Sequence, residues 1–127
     1  MAALYYNDIK KFHEKFLIKF PDKPRLLSPD EYEFRLKFLF EEISEFKDSY
    51  KNEDLIGCAD ALVDLLYVTF GTCYFMGLPC DELWKSIHEA NMKKEKVKNK
   101  FESKRGSIYD IRKPKNWKHP DISILLK

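Results

Sequence analysis

From about Glu53 to Phe75 the chain reads as one long helix that is apolar on nearly every side, and past its acidic start the only charges in it are Asp60 and Asp64, in CADALVDLLYV. A surface helix needs a single apolar stripe, whereas one that is apolar all round is expected to be enclosed by other helices. The stretch therefore predicts the buried central helix of a bundle. Aspartate is a poor helix former, and a buried carboxylate without a partner costs on the order of several kcal/mol. Two of them one turn apart in this helix point to a functional role for the pair.

The rest of the chain supplies helices to surround it. Tyr5, Ile9, Phe12, Phe16 and Phe20 recur at helical spacing, with Lys10, Lys11, Glu14 and Lys15 between them, so a first amphipathic helix is expected over residues 4–20. Pro21 and Pro24 stop it. Ser28-Pro29-Asp30-Glu31 carries the signs of a helix start, with a capping serine, proline at the first helical position and a glutamate closing the capping box. This second helix runs to about Tyr50. Gly77-Leu78-Pro79 closes the third, and a fourth begins near Asp81, packs through Leu83, Trp84, Ile87 and Ala90, and is expected to continue through MKKEKVKNK to about Phe101. Beyond it Gly106, Pro114 and Pro120 predict an irregular arm over about 101–127. No alternation of a sheet type occurs, so the fold class is all-α, one domain over residues 1–127 with a helical core over about 4–100.

The second helix carries acids of its own, Glu41, Glu42 and Glu45 in FLFEEISEF. At the helical repeat these three fall within roughly 100° of arc, and Asp60 and Asp64 within roughly 40° on the third helix. Five carboxylates in such apolar surroundings need a compensating cation. If the two acidic faces meet, hard oxygen ligands converge in a site that suits Mg²⁺ or Mn²⁺ and not a thiol-seeking metal. A di-iron carboxylate bundle needs Glu-x-x-His pairs, and Lys10, Lys85 and Asn116 stand three residues before His13, His88 and His119. The histidines read as surface or packing residues. Phe34 and Phe38 share the acidic face of the second helix, and on the third that face continues to Tyr67 and Gly71, where the missing side chain leaves room for a ligand or a close neighbour.

Charge is unevenly spread along the chain. The net formal charge is +2, yet acids concentrate between Asp30 and Asp64 while Lys and Arg crowd the stretch from Lys93 to Lys118. The fourth helix also carries Asn91, Lys93 and Lys94, followed by basic residues up to Lys100; a lysine run at a helix end complements the dipole and, beside an acidic metal site, would help neutralise a polyphosphate. Lys113, Lys115 and Lys118 of the arm are weaker candidates for the same task. A nucleic-acid partner is disfavoured, because no groove-reading motif accompanies the basic tail and the acidic faces repel a phosphate backbone. Cys58, Cys73 and Cys80 are odd in number without CxxC spacing, which fits small core residues in a reducing cytoplasmic compartment. The N-terminus becomes charged too early for a signal peptide, and the apolar run Leu65 to Pro79 is short of a bilayer span, so no membrane segment is expected.

Taken in order, Arg35 ahead of Glu41-Glu42-x-x-Glu45, the DALVDLLYV run from Asp60 to Val68, a Gly-hydrophobic-Pro turn and Asn91-Met92-x-Lys94 resemble the MazG-like superfamily of all-α nucleoside triphosphate pyrophosphohydrolases, nearest its small phage-type and phosphoribosyl-ATP-pyrophosphatase-like members. The likeness covers about residues 12–122 and extends into the tail, where KPKNWKHPDI resembles a closing KPxxWxxPxI segment. One position departs: the superfamily's ExxD motif would place a glutamate at Ala61, and Asp60 is the available substitute. The resemblance implies a four-helix bundle completed by dimerisation, as a homodimer or a dimer of dimers. It also implies hydrolysis of a nucleoside triphosphate to the monophosphate and pyrophosphate. Mg²⁺ would be held by Glu42, Glu45 and Asp64 with help from Asp60, and Glu41 would orient or deprotonate the attacking water. Asn91, Lys93 and Lys94 would contact phosphates or sugar, and Phe34 or Phe38 would stack on the base. A silent relative that only captures a nucleotide or phosphosugar is the alternative raised by Ala61.

Overall fold

The computed structural model describes residues 2–127, with side chains from Tyr5 onward. Helices α1 (Ala2–Lys15), α2 (Pro29–Lys51), α3 (Leu55–Phe75) and α4 (Cys80–Asn91) dominate, and the strands are the two-residue β1 (Glu95–Lys96) and β2 (Ile111–Arg112), an antiparallel pair. The class is all-α, as the periodicity predicts.

Contacts group the chain into two compact units, one running to Cys80 and including Leu126 and Lys127, the other from Asp81 to Leu125. In the first unit α2 runs along α3, and α1 also packs on α3. The cap on α2 forms as its sequence dictates: the Glu31 amide donates to Ser28 Oγ at 3.3 Å and the Ser28 amide to Glu31 Oε1 at 2.8 Å. Arg25 holds the same carboxylate through two bonds of 2.9 Å, and that pairing brings the Glu31 pKa down to about 2. Tyr6, Ile9, Tyr74 and Cys80 form the buried cluster, with Ile18, Phe70, Cys73 and Leu78 packed against it.

Helix α1 ends at Lys15, five residues before the expected Phe20. Leu17 takes a left-handed φ of 61° and the chain turns there, which delivers Ile18 to the core and its carbonyl to the Tyr74 hydroxyl at 3.0 Å. Tertiary packing thus ends the helix before the prolines do. Gly77, with φ 66°, reverses the chain after α3 as expected, and a Cβ there would meet the Lys23 carbonyl oxygen at 3.1 Å.

His13 is a packing residue of this unit, stacked on Tyr74 at 4.6 Å between centroids. Its Nδ1 lies 2.7 Å from the Ile9 carbonyl oxygen, which can only accept, so the neutral ring carries its proton on Nδ1. Burial lowers the His13 pKa below the ordinary 6.5, outweighing the Ile9 bond, and the Arg35 charge acts in the same direction as burial. The unfolded chain therefore takes up a proton that the folded one resists. Stability should be full above pH 6.5 and decline as pH falls below it, by up to about 1.4 kcal/mol per pH unit. Thermal midpoints measured from about pH 7.5 down to about 5.5 should fall in the wild type and run flatter in His13→Gln.

Two expectations about helices need correction. The fourth does not reach Phe101: it stops at Asn91, and the lysine-rich stretch that follows forms a ribbon edge, with Glu95 opposite Arg112 and Val97 buried. The Trp117 indole N–H donates to the Ala90 carbonyl oxygen at 2.7 Å, and the Lys93 amide closes a tight turn on the same oxygen at 3.2 Å, where a longer helix would bring the Lys94 amide. The structure has the four expected helices; most of α4 groups with the C-terminal segment, and α1 to α3 are the helices of the first unit.

Nor is α3 enclosed by its own chain. Its buried residues are Ala61, Val68, Gly71 and Tyr74, while Leu55 is 82% exposed, Ile56 83% and Val63 61%. Two neighbouring helices cover one side of it, and the remaining apolar side faces outward. By length and hydropathy alone α3 is also long and apolar enough to cross a bilayer, beyond what the run Leu65 to Pro79 suggests. Asp60 and Asp64 argue against that use, since each would cost about 2.5–3.5 kcal/mol at mid-bilayer.

Candidate metal centre

Helices α2 and α3 bring three of the predicted ligands together. One carboxylate oxygen each from Glu42, Glu45 and Asp64 lie within 4.8 Å of one another. The i, i+3 spacing puts the two glutamates on one face of α2, and the packing of α2 along α3 sets Asp64 opposite them. Glu42 is only 7% exposed, Asp64 is partly buried and Glu45 is exposed.

Glu42 is the strained member. Its Oε2 is buried and has no hydrogen-bond partner. Burial raises its pKa most, and the nearby charges of Glu45, Asp64 and Asp60 raise it further. The ion pairs among the described residues are Arg25–Glu31, Arg105–Asp110, Arg112–Glu95 and Arg112–Glu102. No cationic side chain among them answers the cluster. Arg35, on the same helix, turns away from it, donating from Nε to Thr72 Oγ1 at 3.1 Å and from Nη2 to the Val68 carbonyl oxygen at 2.8 Å. An orphaned buried oxygen amid three convergent carboxylates fits a hard divalent cation, and all-oxygen donors suit Mg²⁺ or Mn²⁺.

The other predicted residues divide. Asp60 is exposed and outside the three-carboxylate group, yet close enough for its charge to act on Glu42. Glu41 is exposed and also outside the group. Of the five carboxylates expected in apolar surroundings, Glu42 is buried and Asp64 partly buried, while Glu41, Glu45 and Asp60 are exposed. Ala61 is 1% exposed, so the position where the superfamily's glutamate would stand is packed shut. Phe34 and Phe38 lie 6.0 Å apart, each with the Arg35 guanidinium 5.5 Å from its ring centre. Gly71 gives its space to side chains and not to a ligand, since a Cβ there would come 2.7 Å from Arg35 Nη2 and 3.2 Å from His13 Cε1.

Asn91 is the last residue of α4 in the second unit, and Lys93 and Lys94 follow it in a turn closed by the Lys94 amide on the Asn91 carbonyl oxygen at 3.0 Å. The Lys94 ammonium stands 5.2 Å over the Trp117 ring. The clamping role of Arg35 is not legible from periodicity, because its acceptors are a backbone carbonyl and a threonine more than thirty residues away.

A sequence profile for phosphoribosyl-ATP pyrophosphohydrolase matches residues 9–91, well over half of the 127 and including all three convergent carboxylates. No curated protein matches the chain. The chain belongs to the phosphoribosyl-ATP pyrophosphohydrolase family, within the MazG-like all-α superfamily.

Proposed function

We propose that this protein hydrolyses a (deoxy)nucleoside triphosphate or related nucleotide to the monophosphate and pyrophosphate, with Mg²⁺, or Mn²⁺ in its place, held by Glu42, Glu45 and Asp64 and assisted by Asp60. The observation that carries the reading is the buried, unpartnered Glu42 Oε2 inside the three-carboxylate group. Family membership supports the reaction class. The bound cation would neutralise phosphate oxygens and the leaving pyrophosphate. Glu41, exposed beside Glu42 on α2, would orient or deprotonate the water that attacks the α-phosphorus. Asn91, Lys93 and Lys94 would hold phosphates or sugar. Phe34, the more exposed of the two aromatics, or Phe38 would stack on the base. Pyrophosphate release from a nucleotide panel, measured with and without Mg²⁺, tests this. Glu45→Gln and Asp64→Asn should each cut turnover about 100-fold or more. Release of orthophosphate alone, or turnover indifferent to both changes, overturns it.

Ala61 favours a second reading, a silent binder of a nucleotide or phosphosugar. Calorimetry giving Mg²⁺-dependent affinity without turnover would select it.

The same proposal includes a homodimer or dimer of dimers, supported by the uncovered apolar side of α3. Light scattering should give at least twice the chain's 15.2 kDa, and Leu66→Glu, at an exposed apolar position, should shift the mass toward one chain. A cytoplasmic setting is part of the reading and agrees with Cys58 and Cys73 being reduced thiols.

A further inference from the structure

Within the second unit the C-terminal segment and the end of α4 together line an open cavity of about 470 Å³, a volume in the range of small-ligand pockets. Lys93 and Ser86 reach it from the helix side, Asn116 and Lys118 from the segment, and Trp117 forms a wall. Glu89 is the acid on its rim and His119 the imidazole. The tryptophan is held in place by its N–H bond to Ala90 and by the His119 ring, 4.8 Å away and edge-on. Ammonium groups flank it, Lys94 at 5.2 Å and Lys113 at 4.9 Å from the ring centre.

Charge around this cavity is unbalanced for a structural reason. The acids of the neighbouring ribbon are already taken, Glu95 and Glu102 by Arg112, and Asp110 by Arg105. Among the described residues Lys93, Lys94, Lys113 and Lys118 make no ion pair; Lys93 and Lys118 line the cavity against the single carboxylate of Glu89, and Lys94 and Lys113 stand over the Trp117 ring. Two ammonium groups lining one polar cavity favour an anion with several acceptor oxygens.

We propose that this cavity binds phosphoryl oxygens, with Lys93 and Lys118 supplying the charge, Ser86 and Asn116 the neutral donors, and Trp117 an aromatic wall. The assignment extends the proposed phosphate contacts from Lys93 onto the C-terminal segment, and it rests on the reading above for Lys93 alone. Either a free inorganic anion or the phosphate of a nucleotide would satisfy the chemistry.

The chain has two tryptophans, so Trp84→Phe leaves Trp117 as the sole indole reporter. Full-length protein of that background is titrated with inorganic pyrophosphate and, separately, with AMP, in EDTA and at ionic strength matched with chloride. Without a divalent ion the carboxylate centre repels both probes, which separates this test from that of the hydrolytic reading. A saturable change in Trp117 emission is expected, weakened about tenfold or more by Lys118→Glu and retained in Asp64→Asn. Tighter pyrophosphate binding would identify the free anion as the source, and tighter AMP binding the nucleotide. Should Lys118→Glu fail to fold by circular dichroism, Lys118→Gln must show the weakening. The proposal is overturned if neither probe gives a saturable change, if binding survives the Lys118 substitution, or if Asp64→Asn abolishes it.

Discussion

Glu42→Gln is expected to raise the thermal midpoint of the metal-free protein, to remove the midpoint shift produced by Mg²⁺, and to reduce pyrophosphate release about 100-fold or more. The three effects have one origin. In the wild type a nearly buried carboxylate faces two others and leaves Oε2 without a donor. An unsatisfied buried polar group of this kind costs about 1–3 kcal/mol. Glutamine keeps the shape, removes one negative charge and offers an amide N–H₂ to the neighbouring carboxylates, so the apo fold gains. The same change deletes the donor that the cation needs, so ligand-linked stabilisation, which grows with concentration over Kd, disappears. Differential scanning fluorimetry across an Mg²⁺ series separates the two arms. An apo midpoint lowered by Glu42→Gln, or an undiminished Mg²⁺ shift, would remove the metal centre from this position.

The second large effect lies behind that centre. Arg35 is buried, bonded to Val68 and Thr72, and 4.9 Å over the Phe75 ring, so it ties α2 to α3 without touching a carboxylate. Arg35→Ala should destabilise by about 2–4 kcal/mol through lost bonds and lost packing. Gly71→Ala should cost about 1–3 kcal/mol, because its Cβ would come 2.7 Å from the guanidinium. The two losses should not add: with Arg35 truncated the alanine methyl finds room on that side, and a denaturant-based double-mutant cycle should return a coupling of at least about 0.5 kcal/mol. Strict additivity would mean that Arg35 does not occupy the space at Gly71.

Much of this was legible before any coordinates. Helices α2 and α3 lie within two residues of their expected limits, since Ser28, Pro29 and Glu31 form a local cap and Gly77 a local stop. Glu42, Glu45 and Asp64 were identifiable from helical arithmetic and meet as expected. The misreadings were tertiary. Nothing near Lys15 announces that Ile18 belongs in the core, and nothing near Asn91 announces that Trp117 will take the Ala90 carbonyl oxygen. The acids were also expected to be more enclosed than they are. Apolarity around α3 specifies that its faces favour cover, but packing decides how much of them this chain covers.

Sequence alone therefore determined the all-α class, the start of α2 and the identity of the carboxylates, all of which depend on spacings of a few residues along one helix, where 3.6 residues per turn dictates which side chains share a face. Tertiary structure alone decided that Glu42 Oε2 is the buried, unpartnered acid oxygen, that Arg35 fills the space left by Gly71, and that the C-terminal segment and α4 line an open cavity with Lys93 and Lys118 on it. Burial and pairing depend on which groups arrive from distant parts of the chain, and that is set when whole helices pack.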